Sequence, residues 1–355
     1  MAAIQSLALR LSEAQADISL VDASPGHALI PELPYVLESD LNMMSRILDF
    51  STMLQGTGVQ FWQRRVVGLD RRNRKVLFAH GESLDYDYAL VAVGTEAAFP
   101  HVPGLHAHAW PVRTAPDATR IVKALHHAPR ARIVIAGGGF TGVELAASLK
   151  GHHVTLVEWK PSLLPNMLAP YGQYARDFLE RSGVAVRVSS HIVRVDVSTI
   201  NTDSEDIPYD LLIWAGGIKP PHWLSQSNIP CGPKGYPMAD SWGRIDQHLF
   251  LAGDLWQPAQ PYARQSLQTA ETAQAMGSYV GRVMAAVALG QRLPVPFHHG
   301  PHGMIVSLGS SRGVGWVLTP LTPIHGRVAG ELKHVALVRY RRRIWHGAHR
   351  RLRAS

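Results

Sequence analysis

The residues best placed to do chemistry in this chain are glycines and carboxylates rather than nucleophiles. Gly137-x-Gly139-x-x-Gly142 follows the apolar run ARIVIA and opens a helical pattern, and Glu158 closes the next apolar run, HVTLVE. In such a loop the first glycine permits a tight turn and the second lets the backbone approach a pyrophosphate. The third lets helix and strand pack closely, and the helix N-terminus favours the anion. Glu158 stands where a carboxylate accepts hydrogen bonds from ribose hydroxyls and repels a 2′-phosphate. That favours NAD(H) over NADP(H), a preference softened by the nearby Lys160. The plainer alternative is a glycine-rich structural turn.

Four further strand ends carry similar signals. Asp22 closes ISLVD in the position that Glu158 holds later, or it is an ordinary turn residue ending a strand. Gly253-Asp254 follows LFLA, where it is either a common turn or a ligand-binding pair. VAVGT (91–95) and WAGG (214–217) put Gly94, Thr95, Gly216 and Gly217 at the ends of buried strands.

These residues need elements to position them. The pattern predicts a helix over 1–16, a strand at 18–22, paired strands at 59–70 and 73–79, and a strand at 88–93. A second unit begins near Thr114, with a helix over 116–128 and strands at 131–136 and 153–158 on either side of a helix reaching Lys150. A helix around 170–182, strands near 184–188, 191–197 and 211–217, and a strand at 249–252 follow. Residues 263–288 read as a long helix, 295–320 as β structure and 331–353 as a helix. The alternation of strands and helices argues for parallel sheets covered by helices. The segment 1–22 looks like 142–158, the second half of a βαβ unit. By that comparison a strand and glycine loop belong just before residue 1, and roughly fifteen residues of the first unit are lacking.

Composition narrows the classes. The chain has 355 residues, 46% apolar and 17% charged, which is globular rather than disordered. It has a single cysteine, Cys231. That excludes a disulfide framework, a Cys-rich zinc site and an internal redox dithiol. The adjacent pairs His126-His127, His152-His153 and His298-His299 diverge on regular elements, and no HExxH is present, so no metal site is expected. The start shows no secretory signal, and no run of ~18 uncharged apolar residues predicts a membrane span. The expectation is a cytoplasmic protein, peripheral on the inner face of the cell membrane.

Taken together, VAVGT, WAGG, the glycine loop and Gly253-Asp254 resemble the two-dinucleotide-domain flavoprotein superfamily. HALIPELPYVLESDLNMMSRILDF (27–50), YDYALVAVGTEAAFPHVPG (86–104), GGGFTGVELAASL and GMIVSLG (303–309) are similar to the type II NADH dehydrogenases, the NADH:quinone oxidoreductases. The resemblance spans nearly the whole chain apart from the first FAD glycine loop. It implies an α/β fold with two Rossmann-like dinucleotide-binding domains, for FAD and NAD, and a small C-terminal region. The implied divisions are 1–113 and 240–290 for FAD, 114–239 for NAD, and 291–355 for an interface or membrane-surface region.

The resemblance places NAD(H) at Gly137, Gly139, Gly142 and Glu158, with Phe140, Thr141, Gly216 and Gly217 as neighbours. It places FAD at Asp22, Gly94, Thr95, Gly253 and Asp254. Glu144 resembles the family's acid near the nicotinamide–flavin contact, and alternatively it complements the helix dipole as a first-turn acid. The family's quinone helix corresponds to Ala270, Glu271 and Gln274, although Glu271, Ala275 and Met276 replace its glutamines. Glu271 reads either as a proton source, as a sign of another acceptor, or as a solvated position. The implied reaction passes a hydride from NADH to flavin and electrons on to a membrane quinone. The alternatives are a ferredoxin-like acceptor and a non-catalytic NAD-binding protein. The missing dithiol excludes the disulfide-reductase and sulfide-oxidising branches.

The tail is basic, with no acidic residue after Glu331. Leu337, Tyr340, Ile344, Ala348 and Leu352 fall on one helical face, with Arg339, Arg342, Arg343, Arg350 and Arg353 roughly opposite and Trp345 at the edge. A basic amphipathic helix of this kind suits an anionic membrane surface. Packing within a homodimer or a core is the competing reading. Nucleic acid is not expected, because no DNA- or RNA-binding motif accompanies the arginines.

Overall fold

The computed structural model describes residues 1–39, 46–257 and 268–348. Its centre is a five-stranded, wholly parallel sheet. In spatial order the strands are Ala109–Pro111, Leu211–Trp214, Arg132–Ala136, His153–Val157 and Ala185–Arg187. Such strands are covered on both faces and read as continuous apolar runs. RIVIA and LLIW are buried accordingly.

The chain reverses direction across this sheet at Arg132–Ala136, which pairs with the following strand on one side and with Leu211–Trp214 on the other. Ligands of open parallel sheets bind at the carboxyl ends beside such a reversal. Ala136 is in register with both Val157 and Trp214. Gly137, Glu158 and Ala215 therefore leave the sheet at one level. The helices flanking the sheet match expectation closely. One spans Ala115–His127, with Thr114 and Asp117 forming a reciprocal capping box, and the next spans Phe140–Ser148. The third spans Ala169–Arg181.

The first and third chain segments interleave into a second unit. Ser19–Asp22 pairs in parallel with Gln60–Gln63, and Ala89–Val91 in parallel with Leu249–Leu251. The helix Ala270–Ala288 packs on the N-terminal helix. Among the described residues that long helix starts at Ala270, behind an N-cap at Thr269. The expected positions 263–267 lie outside the described residues. The N-terminal helix covers only Ala2–Ala8 rather than 1–16. Beyond Leu11 the Gln15 side chain accepts hydrogen bonds from the Ser12 backbone N–H and hydroxyl, forming a local turn that competes with helix.

The two units are laced together. Ile218–Lys219 pairs antiparallel with Glu96–Ala97, and the Trp214 indole donates to the Ala98 carbonyl at 2.8 Å. The C-terminal region is an antiparallel sheet of Gly303–Ser307, Gly313–Val317 and Pro323–His325, followed by the helix Gly326–Ala348. That helix begins earlier than the expected residue 331. Gly326, at φ 71°, makes the sharp turn from strand into helix.

One expectation about the tail is corrected here. Tyr340 and Ile344 do not face outward. Ile344 is 2% exposed and lies in a core with Leu29, Leu48, Phe50 and Met53, against which Tyr340 and Trp345 also pack. The stripe is apolar because it covers the chain's own N-terminal segment. Leu352, Arg350 and Arg353 lie outside the described residues, as does the side chain of Ala348.

Candidate functional site

The glycine loop has the shape its spacing predicts, and its glycines do different work. Gly137 has φ 116°, and a Cβ there would meet the Ala215 carbonyl oxygen at 2.6 Å. A Cβ on Gly142 would stand 1.8 Å from the Gly137 carbonyl oxygen. These two positions are dictated by packing of the protein on itself. A Cβ on Gly139 would meet nothing within 4 Å. The side chain absent at Gly139 therefore leaves open space at a helix N-terminus, which is where an anionic group fits. Phe140 and Thr141 form the first turn of this helix, with Phe140 packed on the sheet core.

Glu158 is buried at 4% exposure and tied to the loop. Its carboxylate accepts hydrogen bonds from the Gly138 N–H at 2.6 Å and the Lys160 N–H at 2.8 Å. A carboxylate offers about four lone-pair sites, so it keeps acceptor capacity for ribose hydroxyls. Gly216 and Gly217 continue from Trp214 beside Gly137, so all the residues expected around NAD(H) except Glu144 meet at one end of the parallel sheet.

Two of the expected flavin residues, Thr95 and Asp254, converge through a side chain that sequence reasoning missed. Arg113 Nη2 donates to the Thr95 hydroxyl at 2.8 Å and lies 3.7 Å from Asp254 Oδ2. Its Nε is buried with no hydrogen-bond partner among the described residues. A buried guanidinium edge of that kind is costly when left unpaired, and a phosphate or carbonyl oxygen would meet the need. Burial pushes the Asp254 carboxyl up from its usual range, with Arg113 opposing the shift. Gly94, at φ 67°, also faces open space. Only the position of Arg113 directly before the Thr114 helix start could have signalled it.

Asp22 stands apart from that cluster, at the other parallel pair. Burial raises its pKa, and the Ser24 N–H donating to Oδ1 at 2.7 Å opposes the shift. His27, five residues on, pairs with the Tyr340 hydroxyl at 3.0 Å. Burial lowers the His27 pKa to about 4, and burial pushes Tyr340 up to about 12. The N-terminal segment is thereby joined to the C-terminal helix.

Glu144, one turn after Phe140 on the glycine-loop helix, is bonded to the C-terminal region. Its carboxylate accepts from the Ser307 N–H at 2.9 Å and from Lys333 Nζ at 3.1 Å. Lys333 also donates to the Ile305 carbonyl at 2.9 Å. Ser307 Oγ in turn meets the Tyr35 hydroxyl at 2.6 Å. Glu144 is thus more than a helix-dipole complement: it fastens this helix to the C-terminal sheet and helix.

A shallow pocket beside Asp254 is lined by Gly253, Trp256, Gln268, Thr272, Ala273 and Met276. Ala270, Glu271 and Gln274 occupy other faces of the same helix, since successive residues are set about 100° apart. The residues that the sequence pattern matches to the quinone helix thus lie off the face that lines this pocket. Glu271 instead pairs with His302 at 2.6 Å. The single cysteine is unremarkable in chemistry: Cys231 donates to the Ile229 carbonyl at 3.2 Å, and burial raises its pKa.

Comparison with known proteins agrees with this geometry. The family model described as pyridine nucleotide-disulphide oxidoreductase matches residues 2–277. The chain is 24% identical to the NADH dehydrogenase-like protein YutJ of Bacillus subtilis, over 91% of this chain and 90% of that one. It is 26% identical to the type II NADH:quinone oxidoreductase of Staphylococcus haemolyticus, over 94% of this chain and 90% of that one. Among solved structures, NDH2 from Plasmodium falciparum in complex with NADH superposes with a TM-score of 0.81 at 15% identity, over 97% of this chain and 96% of that one. With the glycine loop, the strand-end acids and this match in place, the chain belongs to the pyridine nucleotide-disulphide oxidoreductase family and is a NAD(P)H-dependent flavoprotein oxidoreductase that uses FAD and NAD(H).

Proposed function

We propose that the chain is a NADH:quinone oxidoreductase working at an anionic membrane surface. The observation that carries this reading is the outer face of the C-terminal helix. Val328, Leu332, Val335 and Val338 are exposed at helical spacing, and Leu318 and Leu321 are exposed just before the helix. Arg339, Arg341, Arg342 and Arg343 are exposed on its later turns. An apolar stripe with adjacent arginines suits insertion among acyl chains beneath anionic headgroups. An acceptor dissolved in the bilayer is then within the protein's reach. No helix among the described residues is long and apolar enough to cross a membrane, so this face is the proposed contact.

The chain's own residues divide the work. The open space at Gly139 receives the NADH pyrophosphate at the helix N-terminus, and Glu158 takes the ribose hydroxyls while holding the loop closed through Gly138. Thr95, Arg113 and Asp254 orient the flavin, and Asp22 holds the ribose at its other end. Bound FAD supplies the hydride acceptor between NADH and the quinone. Glu144, with Lys333 as its counter-charge, fastens the glycine-loop helix to the C-terminal region and so holds the loop in place. The overall exchange is NADH plus a proton plus quinone giving NAD+ and quinol. Hydride carries two electrons and one proton, and the second proton comes from solvent or from an acid of the protein. No thiol is required, in keeping with the lone Cys231.

The test is NADH oxidation by the FAD-reconstituted chain with three acceptor systems. These are a quinone in anionic vesicles, the same quinone in neutral vesicles, and a soluble ferredoxin. The expected result is quinone reduction, faster in anionic vesicles. Ferredoxin reduction without quinone reduction would overturn the reading and assign the arginines to an acidic protein partner.

A further inference from the structure

We propose that Glu271, His299 and His302 form a binding site for a divalent transition-metal ion of the Zn²⁺ class. The three residues offer ligand atoms that all lie within 4.8 Å of one another. Glu271 Oε1 is 2.6 Å from His302 Nδ1 and 4.0 Å from His299 Nε2. The two imidazole rings stand edge to face at 5.7 Å.

His299 gives the second, independent observation. Its side chain is 15% exposed, and its Nε2 is buried with no hydrogen-bond partner among the described residues. A ring nitrogen buried with no partner is an uncommon arrangement, because the desolvated group has nothing to bond. Here it faces a carboxylate too distant for a hydrogen bond and close enough to share an ion. The Phe297 ring packs near that of His299, their centroids 6.1 Å apart.

The donor set selects the ion. Two imidazole nitrogens and one carboxylate oxygen suit Zn²⁺ and its neighbours, whereas Mg²⁺ and Ca²⁺ prefer oxygen ligands throughout. With metal–ligand bonds of about 2.0–2.2 Å, ligand atoms in a tetrahedral site stand ~3.4 Å apart. The observed 2.6 and 4.0 Å bracket that value. His302 is 78% exposed and free to adjust. On binding, His302 presents Nδ1 as a lone pair with its N–H on Nε2, Glu271 exchanges the hydrogen bond for the ion, and water completes the coordination. Local structure supports the site from two directions. Glu271 is fixed in the first turn of the helix Ala270–Ala288, behind its Thr269 cap. His302 immediately precedes the strand Gly303–Ser307. An ion here would clamp the C-terminal sheet to the helix that lines the pocket beside Asp254.

The site is tested by stripping the full chain with a chelator and titrating it with Co²⁺. Visible d–d absorption reports coordination. The expected result is one equivalent bound with the intensity of a four-coordinate site, displaced by Zn²⁺ and unaffected by excess Mg²⁺. His302→Ala and His299→Ala are each expected to weaken binding by roughly 10- to 100-fold or more. His334→Ala, an exposed histidine on the C-terminal helix, leaves it unchanged. Because His302 is exposed, its variant folds even where His299→Ala does not. Absence of stoichiometric Co²⁺ uptake, or uptake unchanged in His302→Ala, would overturn the proposal. The readout needs no NADH or acceptor, so it is independent of the proposed activity.

Discussion

Glu144 and Lys333 form an ion pair at 3.1 Å between the glycine-loop helix and the C-terminal helix, with side chains only 12% and 19% exposed. The pair joins elements 189 residues apart in the chain. Lys333→Met removes the charge and leaves Glu144 with the Ser307 N–H alone. Loss of a mostly buried partner is expected to cost about 1–3 kcal/mol. Adding Glu144→Gln restores part of the loss. Urea denaturation of both single variants and the double variant gives the coupling energy, and strict additivity would show that the pair contributes nothing.

The glycine loop separates packing from ligand contact. Gly142→Ala places a methyl group against the Gly137 carbonyl and is expected to destabilise the fold by about 1–3 kcal/mol. Gly139→Ala meets no protein atom within 4 Å. It is expected to change stability by about 1 kcal/mol or less, while weakening NADH about tenfold or more by filling the pyrophosphate space. Thermal denaturation beside a fluorescence titration with NADH distinguishes the two effects. Equal damage to stability in both variants would contradict the assignment.

Arg113 ties Thr95 to Asp254 and so supports the flavin end of the site. Arg113→Ala deprives a half-buried carboxylate of its counter-charge and is expected to weaken flavin retention roughly 10- to 100-fold. Arg113→Lys keeps the charge without the planar fork and is expected to fall between. Flavin absorbance retained after reconstitution and gel filtration measures both. Arg71→Ala, which breaks an ion pair with Asp246 elsewhere, serves as the control, and equal flavin loss there would refute a specific role.

His27 confers a pH dependence of predictable sign. Its pKa in the folded chain is about 4, below the ordinary 6.5, chiefly because of burial. The unfolded chain therefore binds the proton more readily. Stability is unaffected above about pH 6.5, declines as the pH falls towards 4, and loses no more from this group below that. The full loss is about 3 kcal/mol. The half-buried carboxyls of Asp22 and Asp254, with raised pKa values, act in the opposite sense. The comparison that isolates His27 is thus wild type against His27→Gln, which keeps a partner for Tyr340. Parallel stability curves for the two proteins between pH 7 and pH 4 would rule the effect out.

The sequence by itself determined the parallel sheet, the glycine loop and the strand-end acids. These are local features: apolar runs of strand length, turns that only glycine accepts, and carboxylates a fixed distance along one βαβ unit. Glu158 is legible in that way because the register of adjacent strands brings it to Gly138. What only the tertiary structure decided are the contacts between distant segments. The apolar face of Tyr340 and Ile344 has the same periodicity whether it meets lipid or a core, and only the packing against Phe50 and Met53 shows which. Arg113 carries no motif, and it becomes a site residue because separate loops deliver Thr95 and Asp254 to it. His299 and His302 diverge from their own neighbours along the chain, as adjacent residues must, yet a helix start contributed by another segment places Glu271 between them. Periodicity records which residues share a face, and it is blind to what that face will touch.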